Sequence, residues 1–289
     1  MVKDWDDRYV TVDGLQAHYI ESGQGHEETL LLVHGGGETS CGELNFGVTM
    51  RFLSKRLHVI ALDIAGYGLT PGRGPEHFPS SAQGDFIIRF IQALQIRPHV
   101  AGNSHGGWLV QYVAHEAPEL VRKLVIINSG AGTMPVPSGE EGLKYVYVPE
   151  GNARPEPNVA NIREFLQKLF INQDLVTEER VSRTYEIARR NHDFAQERGK
   201  AIDATIAEKN RNLTYRGAHI AECARRLGRP VLLTWSKENI RVRPADVMEF
   251  FNRLETAEMH VFSRAGHHVM VEHPERWSSV TSDFLLAAI

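Results

Sequence analysis

The sequence predicts an α/β protein whose central sheet is mostly parallel and flanked by helices. Short runs rich in Leu, Val and Ile alternate with helical patterns along most of the chain. The runs lack strict polar alternation, as expected of strands buried on both faces of a parallel sheet. With 289 residues, 42% of them hydrophobic, the chain is long enough for one large core that carries an insertion.

Six segments are predicted to be strands. In chain order they are TLLLVHGGG, HVIALDIAG, HVAGNSHGG, KLVIINSGAG, PVLLTWS and AEMHVFSRAG. Apolar residues at helical spacing follow the second, third and fifth strands, in AQGDFIIRFIQALQI, GGWLVQYVAHEAPELV and ADVMEFFNRL. This order is that of an open α/β sheet, in which ligands bind at the carboxyl ends of the strands.

The regular alternation stops after KLVIINSGAG. A Pro- and Gly-bearing connector, MPVPSGEEGLKYVYVPEGNARPEPN, is followed by charged amphipathic helices such as IREFLQKLFI and VSRTYEIARRNHDFAQE. We expect residues 133–226 to form a helical lid over the carboxyl edge of the sheet. Residues 1–132 and 227–289 would then form the core domain.

Composition and charge narrow the class of ligand. The chain has 32 Lys and Arg against 36 Asp and Glu and contains no basic run, so neither a nucleic acid nor an anionic membrane is expected as a partner. Cys41 and Cys223 lack metal-site spacing and suit a reducing compartment. The acidic start MVKDWDDRYV has no apolar signal region, and no later run could span a bilayer. We expect a cytoplasmic protein with a small-molecule substrate.

The stretch HVAGNSHGGWLV places Ser104 between a predicted strand and a predicted helix. In a G-x-S-x-G turn of this kind, small residues such as Gly102 and Gly106 permit a strained backbone that lifts the serine oxygen above the sheet. Ser104 is therefore the predicted nucleophile. The motif alone leaves open that the serine is incidental, and two further features argue against that alternative.

The first feature is the loop that ends LLLVHGGG, Gly35, Gly36 and Gly37, which offers backbone N–H groups to an oxyanion. We expect the amides of Gly36 and His105 to form the oxyanion hole. The second feature is SRAGHHVMVEHPE after the last strand, which supplies His267 as the predicted general base. The neighbouring histidines of that segment, His268 and His273, are the competitors for the role and are expected to be packing or surface residues.

The chain order of Ser, acid and His resembles that of the α/β-hydrolases over nearly the whole sequence, most weakly in the lid. The resemblance implies the α/β-hydrolase fold with the lid inserted after strand 6. The acid departs from the family pattern, because WSKENIRVRP has Asn239 at the acid position, beside Glu238. An amide can orient the imidazole but cannot stabilise imidazolium by charge, so we favour Glu238 and keep Asn239 as the alternative. The other acid position of the fold holds Asn128 and Ser129.

Three segments, HGGGETSCGELNF, GNSHGG and SRAGHHVMVEHPE, resemble those of the meta-cleavage product hydrolases. These enzymes break a carbon–carbon bond in 2-hydroxy-6-oxo-hexa-2,4-dienoates from aromatic-ring degradation. The resemblance implies an acyl-enzyme on Ser104 and no metal or organic cofactor. It further implies substrate contacts from Gly35, Gly37 and Asn45, with Asn45 beside Ser104 and in contact with the dienolate or carboxylate end of the substrate. It also implies that a lid arginine pairs with the substrate carboxylate. The candidates are Arg180, Arg183, Arg189 and Arg190, of which Arg183 is nearest the family's position.

Three alternatives share the same residues. A carboxylesterase or lactonase would use the same machinery on an oxygen ester, and a missing lid arginine would favour it. The segment SHGGW also resembles cofactor-independent dioxygenases of this fold, although Asn128 stands where those enzymes have their acid. A binding module of the same fold is the third alternative. Because related enzymes often pair or form larger assemblies, the resemblance also leaves a homo-oligomer open.

Overall fold

The structure, a computed structural model, describes residues 3–72, 74–77, 80–129, 156–209, 230–239 and 244–288. Eight strands form one sheet in the order β1-β2-β4-β3-β5-β6-β7-β8. The strands are β1 (Asp6–Val12), β2 (Leu15–Ser22), β3 (Thr29–Val33), β4 (His58–Leu62), β5 (His99–Asn103), β6 (Leu124–Ile127), β7 (Val231–Ser236) and β8 (Ala257–Phe262). The helices are α1 (Gly42–Leu53), α2 (Ser80–Ala93), α3 (His105–Glu116), α4 (Val159–Leu169), α5 (Glu178–Lys209), α6 (Pro244–Arg253), α7 (Val269–Glu272) and α8 (Pro274–Leu286).

Strands β3 to β8 pair in parallel, which confirms the predicted architecture. The sequence reasoning did not include the first two strands. β1 and β2 form an antiparallel hairpin, and β2 pairs antiparallel with β4. Asp13 and Gly14 join them with φ values of 51° and 72°, the positive pair that a two-residue hairpin turn requires. A D-G pair is a strong hairpin signal and could have predicted this turn.

Both faces of the sheet are buried, and alternate residues of one strand serve opposite sides. Leu31 and Val33 of β3 pack in the cluster that includes Phe86 of α2 and Leu109 of α3. Leu30 and Leu32 of the same strand pack in the second cluster, on the other face, whose helical residues come mainly from α1, α7 and α8. This period of two explains why the strands read as continuous apolar runs.

The segment between β6 and β7 carries two helices, α4 and α5. Apolar residues of both, including Ile162, Leu166 and Val181, join the cluster that contains α1. Most of the expected connector falls in residues 130–155, which lie outside the described residues. Residues 210–229 also lie outside them, so the lid boundaries stay a prediction. Within the described ranges, no helix is both long and apolar enough to cross a membrane.

Candidate active site

Ser104 lies at a sharp turn between β5 and α3. Its φ of 54° and ψ of −118° are unusual for a residue with a side chain, and strain of this kind costs about 1–3 kcal/mol. The turn is held on both sides of the serine. The Ser104 amide donates to the Ile127 carbonyl of β6 at 3.0 Å, and the Ser104 carbonyl accepts from the Gly107 amide at 3.0 Å. The strained backbone is therefore fixed by the sheet and by the first turn of α3.

The glycines of the motif are required by close backbone contacts. A Cβ on Gly102 would lie 2.2 Å from the carbonyl oxygen of Gly106. A Cβ on Gly106 would lie 2.2 Å from the carbonyl oxygen of Val33, at the end of β3. Only glycine lets β5, the first turn of α3 and the end of β3 approach this closely. Ser104 consequently emerges beside the loop that follows β3.

That loop contains the predicted oxyanion residues. A Cβ on Gly35 would come within 3.6 Å of the Ser104 Cβ, and one on Gly36 within 2.8 Å of the His105 Cβ. Gly37 accepts a hydrogen bond from the Ser40 amide at 2.9 Å, closing a turn. The structure thus brings the glycine loop against the serine turn. The backbone amides of Gly36 and His105 belong to these two adjoining segments.

His34 anchors the start of the glycine loop. Its Nε2 accepts from the Ile64 amide at 3.1 Å, so its Nδ1 carries the proton and donates to the Gly35 carbonyl at 2.7 Å. Burial lowers the pKa of His34, which keeps the ring neutral in this arrangement. A neutral, buried imidazole holding two backbone segments is a structural role that the sequence motif did not disclose.

His267 follows β8 and is 6% exposed. Its Nδ1 donates to Asn239 Oδ1 at 3.1 Å. Because an amide oxygen only accepts, the proton stays on Nδ1 and Nε2 has the lone pair that a general base needs. No hydrogen bond joins Ser104 Oγ to the His267 ring among the described residues; such bonds often tighten only when substrate is bound.

The preference for Glu238 as the partner of His267 is not supported by the contacts. Glu238 Oε2 accepts from the Ala265 amide at 3.3 Å, whereas Asn239 is the residue on the imidazole. The Asn239 amide donates to the Ser236 carbonyl at 3.1 Å, and this turn at the end of β7 aims residue 239 at the histidine. Of the two neighbours, Asn239 and not Glu238 is therefore in hydrogen-bond contact with the ring.

The second acid position of the fold is also an amide. Asn128 Nδ2 donates to Ser236 Oγ at 2.8 Å, and Asn128 Oδ1 accepts from the Ser236 amide at 2.8 Å. These bonds tie the end of β6 to the end of β7. Asn128 is thereby fully engaged in holding two strands, and it presents no carboxylate to His267.

Two asparagines that the sequence reasoning did not assign to the site hold the backbone of His267. Its carbonyl accepts from Asn128 Nδ2 at 3.0 Å and from Asn103 Nδ2 at 3.3 Å. Both residues stand at the carboxyl ends of adjacent parallel strands, where side chains meet at one edge of the sheet. That position is a signal by which they could have been predicted.

The other competitors of the histidine segment have separate contacts. His268 lies edge-on to Phe170, with 6.1 Å between ring centroids. His273 Nε2 contacts the carbonyls of Ser263 and Arg264 at 3.1 and 3.0 Å. Glu272 accepts from the Ile171 amide at 2.7 Å and so joins this segment to the end of α4. These contacts place His273 in a supporting role.

Asn45 is fully buried on α1. Its Nδ2 donates to Asn103 Oδ1 at 3.4 Å, which places it beside the residue preceding Ser104. Its Oδ1 is buried and has no hydrogen-bond partner in the structure as described. An unsatisfied buried acceptor costs about 1–3 kcal/mol, and such an atom is typical of a ligand site.

Arg183 does not point into the site as a free cation. Its Nη2 and Nε donate to the two carboxylate oxygens of Glu43 at 2.6 and 3.1 Å, and Nη1 donates to Glu186 at 3.0 Å. These carboxylates raise the pKa of Arg183 further above its usual value. The residue clamps α5 to α1, so the expectation that it binds substrate is not supported.

Arg180, one turn earlier on α5, is different. Its guanidinium carbon lies 5.4 Å from the centre of the Phe170 ring, and burial lowers its pKa. Among the described residues its side chain has no ion pair with a carboxylate. The structure also places no group of three or more His, Cys, Asp or Glu side chains for a metal ion in the part described.

Comparison with known proteins decides the family. Residues 30–280 match the model of the alpha/beta hydrolase family. The chain belongs to that family. A 2-hydroxy-6-oxononadienedioate/2-hydroxy-6-oxononatrienedioate hydrolase of Paraburkholderia phymatum is 30% identical over 281 residues, covering 94% of this chain and 91% of the relative.

Two solved structures of family members are similar at 25% identity and a TM-score of 0.78. One is a meta-cleavage product hydrolase from Pseudomonas fluorescens IP01, matched over 96% of both chains. The other is a membrane phospholipase A described as a bacterial virulence factor, matched over 98% of this chain and 86% of that one. Both likenesses extend over nearly the whole hydrolase chain.

Proposed function

We propose that this protein is a serine hydrolase that cleaves a carbon–carbon bond in 2-hydroxy-6-oxo-hexa-2,4-dienoate-type products of aromatic degradation. The observation that carries the proposal is the buried Asn45 Oδ1 beside the Ser104 turn, which lacks a hydrogen-bond donor in the described structure. The 2-hydroxyl group of such a dienoate would supply that donor. The similarity to hydrolases named for substrates of this class supports the same conclusion.

The dienoate binds with its 2-hydroxyl group at Asn45, and the proposed reaction begins with its ketonisation, in which the proton of the 2-hydroxyl is lost and C5 gains one. His267 Nε2 takes the proton of Ser104, whose oxygen adds to the distal ketone. The amides of Gly36 and His105 stabilise the resulting oxyanion. The carbon–carbon bond then breaks and its electron pair leaves with the dienol fragment, which takes the proton held by His267, while the acyl group stays on Ser104. Water activated by His267 releases the second acid.

We further propose Arg180 as the partner of a substrate carboxylate. A guanidinium that is partly desolvated and forms no ion pair among the described residues gains more from an incoming anion than a solvated one does. Phe170 contacts both Arg180 and His268, so this cation lies near the segment that carries His267. Arg183 provides the matched control, because its guanidinium is already in an ion pair with Glu43.

The lid, the partners and the location of the protein are proposed from its sequence. We propose that residues 133–226 form the lid and supply the walls for the aryl or alkyl end of the substrate. The substrate is a small molecule, with neither a nucleic acid nor a membrane as partner. The protein would act in the cytoplasm, and the proposal is compatible with a homo-oligomer.

The test mixes purified protein with coloured 2-hydroxy-6-oxo-hexa-2,4-dienoates that bear a phenyl or alkyl group. Loss of the dienolate absorbance with release of the matching carboxylic acid is expected, and Ser104→Ala should abolish both. Arg180→Gln should raise KM at least about 10-fold, since an ionic hydrogen bond to the carboxylate is lost, whereas Arg183→Gln should leave KM within about 3-fold because that residue does not meet substrate. An untouched dienolate would overturn the proposed function.

A carboxylesterase or lactonase is the second candidate. The engagement of Arg183 with Glu43 favours it, as does the similarity to a phospholipase A. Ester and carbon–carbon hydrolysis share the nucleophile, base and oxyanion hole and differ in the leaving group. Cleavage of p-nitrophenyl acetate and butyrate with no reaction of the dienolate would establish this candidate.

A further inference from the structure

The His105 side chain connects the two predicted halves of the oxyanion hole. Its Cβ, Cγ and Cδ2 lie 2.8–2.9 Å from where a Cβ on Gly36 would be, so the imidazole packs directly on the glycine loop. The backbone amide of the same residue is the second predicted oxyanion donor. The orientation of one side chain therefore bears on the positions of both amides.

Two neighbours fix that orientation. Trp108, one turn along α3, is parallel to the imidazole, with an interplanar angle of 3° and 6.3 Å between centroids. Gln83 of α2 is fully buried, and its Oε1 lies 2.9 Å from His105 Nε2. Because the amide oxygen only accepts, the proton of the ring is on Nε2 and the bond is donated by His105.

The described contacts of His105 and Gln83 with α2, α3 and the glycine loop are with uncharged groups. On α3, Trp108 is stacked in turn on Tyr112. On α2, Asp85 accepts from the Tyr112 hydroxyl at 3.0 Å, so that carboxylate is directed at the tyrosine. On the loop, the ring meets Gly36. The described hydrogen-bond partner of the ring nitrogen is thus an uncharged amide oxygen.

Gln83 is poorly explained by stability. Its Nε2 is buried without a hydrogen-bond partner in the described part of the chain. A glutamine that leaves a buried donor unsatisfied costs free energy that leucine, of similar size, would avoid. Gln83 therefore lowers the stability of the fold, and the hydrogen bond that it makes is the one to His105.

We propose that Gln83 is a positioning residue for the oxyanion hole: by holding the His105 imidazole against Gly36, it fixes the two backbone amides that receive the oxyanion. The inference rests on the proposed serine-hydrolase chemistry, and it does not depend on which substrate is cleaved. The glycines and Ser104 set the backbone of the turn, and the hydrogen bond from His105 Nε2 to Gln83 Oε1 holds the ring.

The experiment separates activity from stability by comparing Gln83→Leu with Gln83→Glu. Leucine removes the acceptor and the unsatisfied donor, so we expect an unchanged or higher Tm but a kcat lowered about 10- to 100-fold at nearly constant KM. Glutamate keeps an acceptor oxygen at the cost of a buried carboxyl group, so we expect a lower Tm but a kcat much closer to that of the unaltered protein. Opposite orders of Tm and kcat are the expected signature.

Gln111→Leu is the matched control, because that buried glutamine of α3 donates to the Gly107 carbonyl within its own helix. We expect its kcat to stay within about 3-fold of the unaltered protein, since a helix carbonyl can be satisfied otherwise. If Gln83→Leu leaves kcat unchanged, or if kcat follows Tm across all three variants, the positioning role is wrong.

The rate at which a fluorophosphonate labels Ser104 provides a readout independent of the natural substrate. A slower labelling rate in Gln83→Leu, restored in Gln83→Glu, supports the inference even if the dienolate is not cleaved, in which case only the proposed substrate fails. The ¹⁵N spectrum of the His105 ring should show Nε2–H in the unaltered protein. A ring found as the Nδ1–H tautomer would contradict the Gln83 contact and overturn the inference.

Discussion

Two buried histidines, His18 and His267, each have an Nδ1 hydrogen bond to a side-chain oxygen, which belongs to a carboxylate at His18 and to an amide at His267. His18, on β2, has its Nδ1 2.8 Å from Asp63 Oδ2 and its Nε2 3.1 Å from Asp7 Oδ1. His267 has its Nδ1 3.1 Å from the amide oxygen of Asn239. The first imidazole lies between two carboxylates, and the second, in the catalytic loop, has an uncharged partner.

The comparison shows that a buried imidazole in this protein can be oriented either by a charged carboxylate or by a neutral amide. Although burial lowers the pKa of His18, hydrogen bonds and charge from Asp63 and Asp7 outweigh it and raise that pKa overall. Asp63 also accepts from the amides of Gly42 and Leu69 at 2.7 and 2.8 Å, so its carboxylate organises a structural corner. At His267 the described partner of Nδ1 is the amide of Asn239, which orients the ring as the carboxylate does at His18 but does not carry the charge that stabilises an imidazolium.

Replacing each histidine by glutamine tests whether the two regions have separate roles. His267→Gln should lower kcat about 10³-fold or more, because the base is lost while the fold is retained. His18→Gln should leave kcat of the folded fraction within about 3-fold and lower the stability instead, since it touches no reacting atom. Hydrolysis rates and urea unfolding of both variants are the measurements. A larger loss of kcat in His18→Gln would show that the corner takes part in the reaction.

Asn239→Asp makes the catalytic histidine resemble His18. A carboxylate would stabilise the imidazolium that forms when Ser104 is deprotonated, so kcat should rise about 10- to 100-fold. The acid limb of the pH–rate profile should also move to higher pH, since the protonated ring becomes more stable. Glu238→Gln is the control and should change neither quantity. An unaltered rate in Asn239→Asp would mean that the reaction does not need charge at this position.

The sequence predicted the parallel sheet and brought Ser104, His105 and the glycine loop to one edge because these features depend on local patterns. Apolar runs mark buried strands, and each glycine motif spans a few consecutive residues, although the contacts that require Gly106 reach as far as Val33 of β3. The hairpin of β1 and β2 was not included because the reasoning began from apolar runs, although its D-G turn could have indicated it.

The sequence could not decide between Glu238 and Asn239, because the choice depends on a turn that directs one of two adjacent side chains to His267. Because an imidazolium is stabilised by an anion, Glu238 was favoured, whereas the contact with His267 in the structure is made by Asn239. The ion pair of Arg183 was equally out of reach, since its partner Glu43 is 140 residues away in the chain. Long-range ion pairs of this kind have no local signature.

Asp63→Asn makes the His18 corner resemble the catalytic loop. The unfolding free energy should fall by about 2–3 kcal/mol, because two backbone amides and a buried imidazole lose their charged acceptor. A raised pKa in the folded state stabilises the fold fully below the unfolded value of 6.5, and this contribution is lost as pH rises through the folded value. Urea unfolding at several pH values should show that decline above pH 6.5 in the unaltered protein and a weaker one in Asp63→Asn.

His99, on the same strand as the serine turn, should respond to pH in the opposite direction. Burial, only partly offset by Glu28, lowers the pKa of His99 to about 4. The unfolded chain therefore binds a proton below 6.5 that the folded protein does not accept until about pH 4, so stability falls as the pH is lowered through that interval. With an allowance for solvent screening, the loss is about 1–2 kcal/mol. His99→Gln should reduce the acid-side slope of the unfolding free energy and leave the decline above pH 6.5 in place, because that decline belongs to His18. If His99→Gln changed the pH dependence of the unfolding free energy both below and above pH 6.5, the titrations of His99 and His18 would be coupled. The decline above pH 6.5 could then not be assigned to the carboxylate partners of His18 alone.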